Sequence, residues 1–314
     1  MSDMAHGFVL QPTYRIEDGV PVVLVYGILE SGAPFLIRDT RSRPRFHIET
    51  RDAARAAEFG AVASPESPSR HNLAGVPVSR VETRIPSEVP PLRDRLHRAG
   101  IPTYEADVRF ALRYLMDRGL RGSLELPGPG EPAPTGMRLW HDPDPQPSTW
   151  TPSLRVLSLD IETDPQGRRL LAVALAGCGV SEVFLFTPPG FAAVPGAASF
   201  SSEPELLAAV VKRIRELDPD ILTGWNVIDF DLAVLHRMGQ AWNVPLTFGR
   251  GPEPLRLRPL RGGPGQAATV EGRVVLDGIQ LLRGAFVRLE SYTLNHAAES
   301  LLGKSKTLVD EEGG

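Results

Sequence analysis

The chain has 314 residues, 42% of them hydrophobic and 23% charged, and a net charge of −4. That composition supports a sizeable core and, at roughly 100–200 residues per domain, suggests two domains; it excludes a disordered tail, a fibrous repeat and a wholly basic nucleic-acid coat. No apolar run approaches the ~20 residues that cross a bilayer, no basic-then-apolar leader opens the chain, and the single Cys178 gives neither an internal disulfide nor a zinc framework, so a cytoplasmic protein is expected.

Thirty glycines and thirty prolines predict many turns between short elements. Val22–Tyr26, continued by Gly27-Ile28-Leu29, then Phe35–Ile37 and Phe46-His47-Ile48 read as strands. Arg51–Phe59 and Val89–Ala99 read as helices, the second stopped by Gly100. The stretch from Leu126 to Pro152 is dense in proline and reads as a loop-rich linker. The boundary placed there leaves residues 1–150 as a smaller, β-rich N-terminal domain and residues 151–314 as a second domain.

The second half changes rhythm. Arg155–Thr163 and Arg169–Ala176 read as strands joined by the turn Asp164-Pro165-Gln166-Gly167, and Val183–Phe186 reads as a third. Pro188–Ser201 reads as a loop. Ser202 with Glu205 forms a capping box that opens a helix, and Leu206, Leu207, Val210, Val211, Ile214 and Leu217 share its apolar face. Asp218-Pro219 stops it. Ile221–Thr223 is a short buried strand, Asp229–Met238 a helix, Arg273–Leu276 a strand, and Tyr292–Leu302 a helix ended by Gly303. Hairpins followed by alternating strand and helix predict an α/β (α+β) fold, a mixed sheet with helices on its faces.

Asp160 and Glu162 stand two apart on a predicted strand, so they share a face, with Leu157, Leu159 and Ile161 on the other. Adjacent carboxylates repel unless both stand in water at an edge or a cation joins them, and hard oxygen donors suit Mg²⁺ or Mn²⁺. Asp231 falls in the first turn of the helix after Ile221–Thr223, where the helix dipole favours a carboxylate. Placed beside the Asp160 strand in a parallel arrangement, it completes a candidate triad. Asp229 competes with it and otherwise reads as an N-cap; Phe230, between them, reads from the residues alone as core.

These residues carry a resemblance. Leu159-Asp160-Ile161-Glu162-Thr163 resembles the Asp-x-Glu motif of 3′–5′ proofreading exonucleases, and Gly224-Trp225-Asn226 through Phe230-Asp231 resembles their second motif, Asn-x-x-x-Phe-Asp. Order and separation are similar to those in the exonuclease domain of family B DNA polymerases. Tyr104–Arg109, Arg113–Met116, Asp218-Pro219-Asp220, Asp277-Gly278-Ile279 and Ser300–Gly303 resemble further segments of that family, so the resemblance covers roughly Tyr104–Lys304. It implies a ribonuclease-H-like exonuclease domain in the second half. Asp160, Glu162 and Asp231 would be catalytic and bind two Mg²⁺ or Mn²⁺ ions; Asn226, Phe230 and Thr163 would hold the frayed single-stranded 3′ end of DNA.

The family's third motif, Tyr-x-x-x-Asp, does not follow Asp231. Tyr292-x-x-x-His296 ends in His, Leu301 rather than Asp stands five positions after His296, and Tyr14-x-x-x-Asp18 lies upstream of the first motif. Tyr292 and His296 read instead as one face of a packing helix. The expectation is therefore an N-terminal part of a longer polymerase, partnered by a polymerase domain of the same parent chain. Alone it is expected to have little or no nuclease activity and a mobile end near Lys304–Gly314. Two other readings stay open: a non-catalytic nucleic-acid-binding module and a stand-alone DEDD-type ribonuclease. Gly262-Gly263-Pro264-Gly265 lacks the Lys-Ser/Thr of a phosphate loop and reads as a hairpin tip.

Overall fold

The computed structural model describes residues 4–133, 136–260 and 263–304. The expectation of a mobile C-terminal end falls, from residue 305 onward, outside the described residues, as does Gly262 of the glycine-rich run. The chain divides into two compact units, Met1–Pro152 and Ser153–Gly314.

The N-terminal unit opens with β1 (Met4–Glu17), β2 (Val20–Leu29), β3 (Pro34–Asp39) and β4 (Arg45–Glu49), then the short α1 (Ala53–Ala57), β5 (Ala63–His71) and β6 (Pro77–Glu82). It continues through α2 (Val89–Arg98), β7 (Thr103–Tyr104), α3 (Phe110–Asp117), β8 (Ser123–Pro127), β9 (Glu131–Pro132), β10 (Arg138–His141) and β11 (Gln146–Pro147). A seven-stranded sheet runs β11-β8-β1-β2-β3-β10-β9, and a four-stranded sheet runs β5-β6-β4-β7. Val23, Val25, Phe35 and Ile37 of the larger sheet bury against Phe110 and Tyr114 of α3. Phe46 and Ile48 bury against Leu92 and Leu96 of α2 in a second core. The proline-dense stretch read as a linker supplies β9, β10 and β11. Proline cannot donate to a ladder, and Pro132 and Pro147 sit on the sheet's two edge strands, where no donor is needed. The 14-residue β1, whose mixed polarity and Pro12 hid it, is the longest strand.

The second unit contains β12 (Val156–Thr163), β13 (Leu170–Gly177), β14 (Val180–Phe186), β15 (Ala197–Phe200), α4 (Glu203–Leu217) and β16 (Ile221–Gly224). A π-helical turn, Ile228–Leu232, runs into α5 (Ala233–Trp242). Then follow β17 (Arg256–Pro259), β18 (Gln266–Thr269), β19 (Val274–Asp277), α6 (Gly278–Gly284) and α7 (Leu294–Leu302). The main sheet runs β15-β14-β13-β12-β16-β19. Its β12–β13–β14 meander is antiparallel, while β16 is parallel to both β12 and β19. This is the mixed sheet expected.

All six apolar residues predicted for one face of α4 are buried, in one core with Leu157, Leu159 and Ile161 of β12. Ser202 caps that helix through the Glu205 N–H, but the Glu205 carboxylate accepts from the Ser201 hydroxyl at 3.0 Å, so the capping box is half formed. Two details differ from expectation. The loop before α4 contains β15, and α7 starts at Leu294, which leaves Tyr292 off the helix that carries His296. The described part of the glycine-rich run, Gly263-Pro264-Gly265, lies between the antiparallel β17 and β18, the hairpin tip expected. Among the described residues no helix is long and apolar enough to cross a membrane.

Candidate carboxylate site

Exposure along β12 alternates as the sequence predicts: Leu157, Leu159 and Ile161 are buried, while Asp160 and Glu162 are exposed. β13 pairs along the strand as far as a register shift between Glu162 and Thr163, a bulge of the kind found beside functional sites. Pairing with β16 covers only Val156–Ser158. Beyond it, the Ile161 N–H donates to Oδ1 of Asp231 at 2.9 Å. The carboxylate thus takes the place of a neighbouring strand.

The approach to Asp231 is built by the end of β16. A side chain at Gly224 would place its Cβ 2.5 Å from the carbonyl oxygen of Leu159, so glycine permits the close approach of the two strands. Asn226 then adopts a left-handed φ of 59°, which asparagine tolerates better than most residues. The chain turns into a π-helix closed by the Leu232 N–H donating to the Val227 carbonyl at 2.8 Å. Such turns are rare and often mark functional positions. This one faces Asp231 inward, 2% exposed, and leaves Asp229 and Phe230 outward.

Asp277, at the end of β19, fixes the turn. Its buried carboxylate accepts from the Ile228 N–H at 3.0 Å and from the Ile279 and Gln280 N–H groups at 2.9 and 3.2 Å, capping α6 at the same time. Sequence reasoning did not single it out as a functional residue, although Asp at a strand-to-helix junction is an N-cap signal.

Burial of Asp231, and next the neighbouring charge of Asp160, push its carboxyl up to about 7; the Ile161 N–H opposes this and Asp277 adds to it. The structure therefore brings Asp160 and Asp231 together. Glu162 stands exposed on the Asp160 face, and among the described residues no group of three His, Cys, Asp or Glu side chains is arranged to hold a metal ion. The donor chemistry of the pair fits a hard divalent cation, because two carboxylates, one of them buried, stand close together and the hydrogen bond that holds Asp231 comes from a neutral backbone N–H.

The remaining candidates separate. Phe230 is 42% exposed and not core. Asp229 accepts from the Gln266 N–H at 2.8 Å, which ties the β17–β18 hairpin to the π-turn; this replaces the N-cap reading. The Thr163 hydroxyl donates to the Asp164 carbonyl at 3.0 Å. The Tyr292 hydroxyl donates to the Val287 carbonyl at 2.8 Å, and its own carbonyl accepts from the Trp225 indole at 3.0 Å.

Residues 178–297 match the family model for DNA polymerase family B, exonuclease domain; that span includes Asn226, Phe230 and Asp231 and begins after Asp160 and Glu162. The chain is 34% identical over 224 residues to DNA polymerase II of Escherichia coli (strain K12), an alignment that covers 68% of this chain and 27% of that protein. It is 27% identical over 325 residues to a DNA polymerase of Thermococcus sp. (strain GE8), covering 97% of this chain and 17% of that protein. The family B DNA polymerase from the hyperthermophilic archaeon Pyrobaculum calidifontis shares the fold, with a TM-score of 0.76 at 24% identity over 96% of this chain and 40% of that one. The chain spans well under half the length of each of these relatives.

Proposed function

We propose, for a chain that carries the exonuclease domain of family B DNA polymerases, that the Asp160–Asp231 pair is the centre of a 3′–5′ proofreading site. It would act on single-stranded DNA 3′ ends in the cytoplasm as part of a DNA-synthesising enzyme. The observation that carries this reading is the buried Asp231 carboxylate, held at 2.9 Å by the Ile161 N–H of the strand that carries Asp160. Asp160 and Asp231 would hold Mg²⁺ or Mn²⁺, with Glu162 as the third ligand. When bound, such ions supply a hydroxide for attack on the terminal phosphodiester and stabilise the leaving 3′ oxygen. Asp231 would give up its proton to solvent on binding a cation, because only the ionised carboxylate is a good ligand. The Ile161 N–H orients Asp231 through the transfer. The exposed Phe230 ring offers an unpaired base a stacking face, and Asn226 and Thr163 lie on the segments that flank it.

The reading is tested by Mn²⁺ titration and by digestion of a 3′-labelled single-stranded oligonucleotide. Mn²⁺ binding should be lost in both Asp160→Asn and Asp231→Asn. Binding unchanged by either substitution would sink the site. Because no Tyr-x-x-x-Asp follows Asp231 in these 314 residues, the chain alone is expected to cleave weakly or not at all. A second reading, a nucleic-acid-binding module without catalysis, is favoured by the lack of a converging third ligand among the described residues. Oligonucleotide binding with no metal-dependent step in any longer form of the protein would select it.

A further inference from the structure

The π-turn that faces Asp231 inward is wound from Val227 to Leu232, one residue more than an α-turn. Rare backbone states of this kind persist only where their surroundings over-determine them. The approach is itself strained, because Asn226 holds a left-handed φ of 59°. Rewinding to the ordinary i→i+4 pattern would rotate Asp231 by as much as about 100°, one residue's share of an α-helical turn, and take it off the Ile161 N–H. Contacts from outside the turn must therefore hold it. The Asp277 carboxylate supplies one, through the Ile228 N–H at 3.0 Å.

The hydrogen bonds around Asp277 continue into a closed ring. Its Oδ1 accepts from the Gln280 N–H at 3.2 Å. The Gln280 side chain donates through Nε2 to the Gln266 carbonyl at 3.0 Å. The Gln266 N–H donates to Oδ1 of Asp229 at 2.8 Å. Asp229 is the covalent neighbour of Ile228, and there the ring closes. Gln266, the first residue of β18, is thus gripped through both its main-chain groups by two side chains from other segments. Gly265 makes room for that grip: its φ is 102°, and a Cβ there would stand 2.9 Å from Oδ2 of Asp229. The ring joins the π-turn, the start of β18 and the start of α6, three segments that share no local pattern. Asp229 is exposed and Gln280 half-buried, so neither is needed to fill the core. What they do hold is the peptide that closes the ring. Hydrogen-bond networks of this kind act as a unit, so removing one member loosens the rest.

We propose, on the reading of Asp160 and Asp231 as a metal-binding pair, that Asp229 and Gln280 are positioning residues for that pair: by holding Gln266 between them they fix the winding of the π-turn and with it the inward side chain of Asp231. The test reads position and metal separately, on the full 314-residue chain. Amide hydrogen exchange of the metal-free protein, followed by NMR, reports position, because the Ile161 N–H is protected by the Asp231 carboxylate itself. Asp229→Ala and Gln280→Met should each speed exchange at Ile161 about tenfold or more and leave the amides of α4 at their wild-type rates. Asp229→Asn keeps an acceptor oxygen for the Gln266 N–H and should stay within about threefold of wild type. Mn²⁺ affinity by calorimetric titration should fall about tenfold in Asp229→Ala and Gln280→Met and hold in Asp229→Asn. The asparagine separates position from charge, since both Asp229 variants lack the carboxylate and only the alanine lacks the hydrogen bond. Unchanged exchange at Ile161, faster exchange spread equally over α4, or an asparagine variant that behaves like the alanine one would each overturn the proposal. So would Mn²⁺ affinity that falls in Asp231→Asn but in neither Asp229→Ala nor Gln280→Met. Mn²⁺ affinity that Asp231→Asn itself leaves untouched would sink the metal reading, and exchange at Ile161 would still decide whether the ring positions Asp231.

Discussion

Asp231→Asn should stabilise the ion-free protein at alkaline pH. Asparagine keeps an oxygen for the Ile161 N–H and never ionises. Raising the Asp231 carboxyl from 3.8 to about 7 corresponds to about 4 kcal/mol in the wild-type chain. The sign follows from proton counts. The unfolded chain loses this proton near pH 4 and the folded chain near pH 7, so in that window the folded state holds more protons and stability falls as pH rises. Below pH 4 the group costs nothing, and above about 7 the loss is complete and level. The advantage of the asparagine variant should therefore grow by about 2–3 kcal/mol between pH 5 and pH 8. At about 2–4 °C per kcal/mol for a unit of this size, that is roughly 5–10 °C in melting temperature. The assay is thermal melting of both proteins in EDTA at the two pH values. Other titrating groups cancel in the difference between the proteins. An advantage that stays flat or shrinks with pH would refute the electrostatic account of the pair. Mn²⁺ in place of EDTA should raise the wild-type transition and leave that of the variant unmoved, since only a state that binds ligand is stabilised by it.

Asp277→Ala strips three backbone N–H groups of their acceptor and should lower stability by about 2–4 kcal/mol, combining a lost cap with unsatisfied buried donors; urea denaturation measures it, and a loss under 1 kcal/mol would show that Asp277 does not hold the π-turn. Gly224→Ala drives a methyl group against the Leu159 carbonyl and should cost about 1–3 kcal/mol. Because β12 must shift to admit it, Mn²⁺ affinity should fall as well, and affinity equal to wild type would argue that the strand spacing is not critical. Phe230→Ala removes an exposed ring, so stability should change by no more than about 0.5 kcal/mol. Single-stranded oligonucleotide affinity should meanwhile drop by about 1–3 kcal/mol in a fluorescence-anisotropy titration; unchanged affinity would remove Phe230 from the nucleic-acid surface.

Periodicity determined what depends on local pattern. The two-residue alternation of Leu157, Leu159 and Ile161 against Asp160 and Glu162 is a property of any strand, so their opposite faces were legible without coordinates. The three- and four-residue steps from Leu206 to Leu217 gave α4 its buried face for the same reason. The tertiary structure decided what depends on partners distant in the chain. Whether a proline-dense stretch is a linker or a set of edge strands depends on which strands border it, and β9 and β11 meet only one neighbour each. Whether Phe230 is core or surface, and which of Asp229 and Asp231 turns inward, depends on one extra residue in a π-turn, set by Asp277 from another strand. The raised carboxyl of Asp231 likewise arises first from its burial in the tertiary structure and then from Asp160, 71 positions earlier in the chain, because burial and charge act through space and not along sequence.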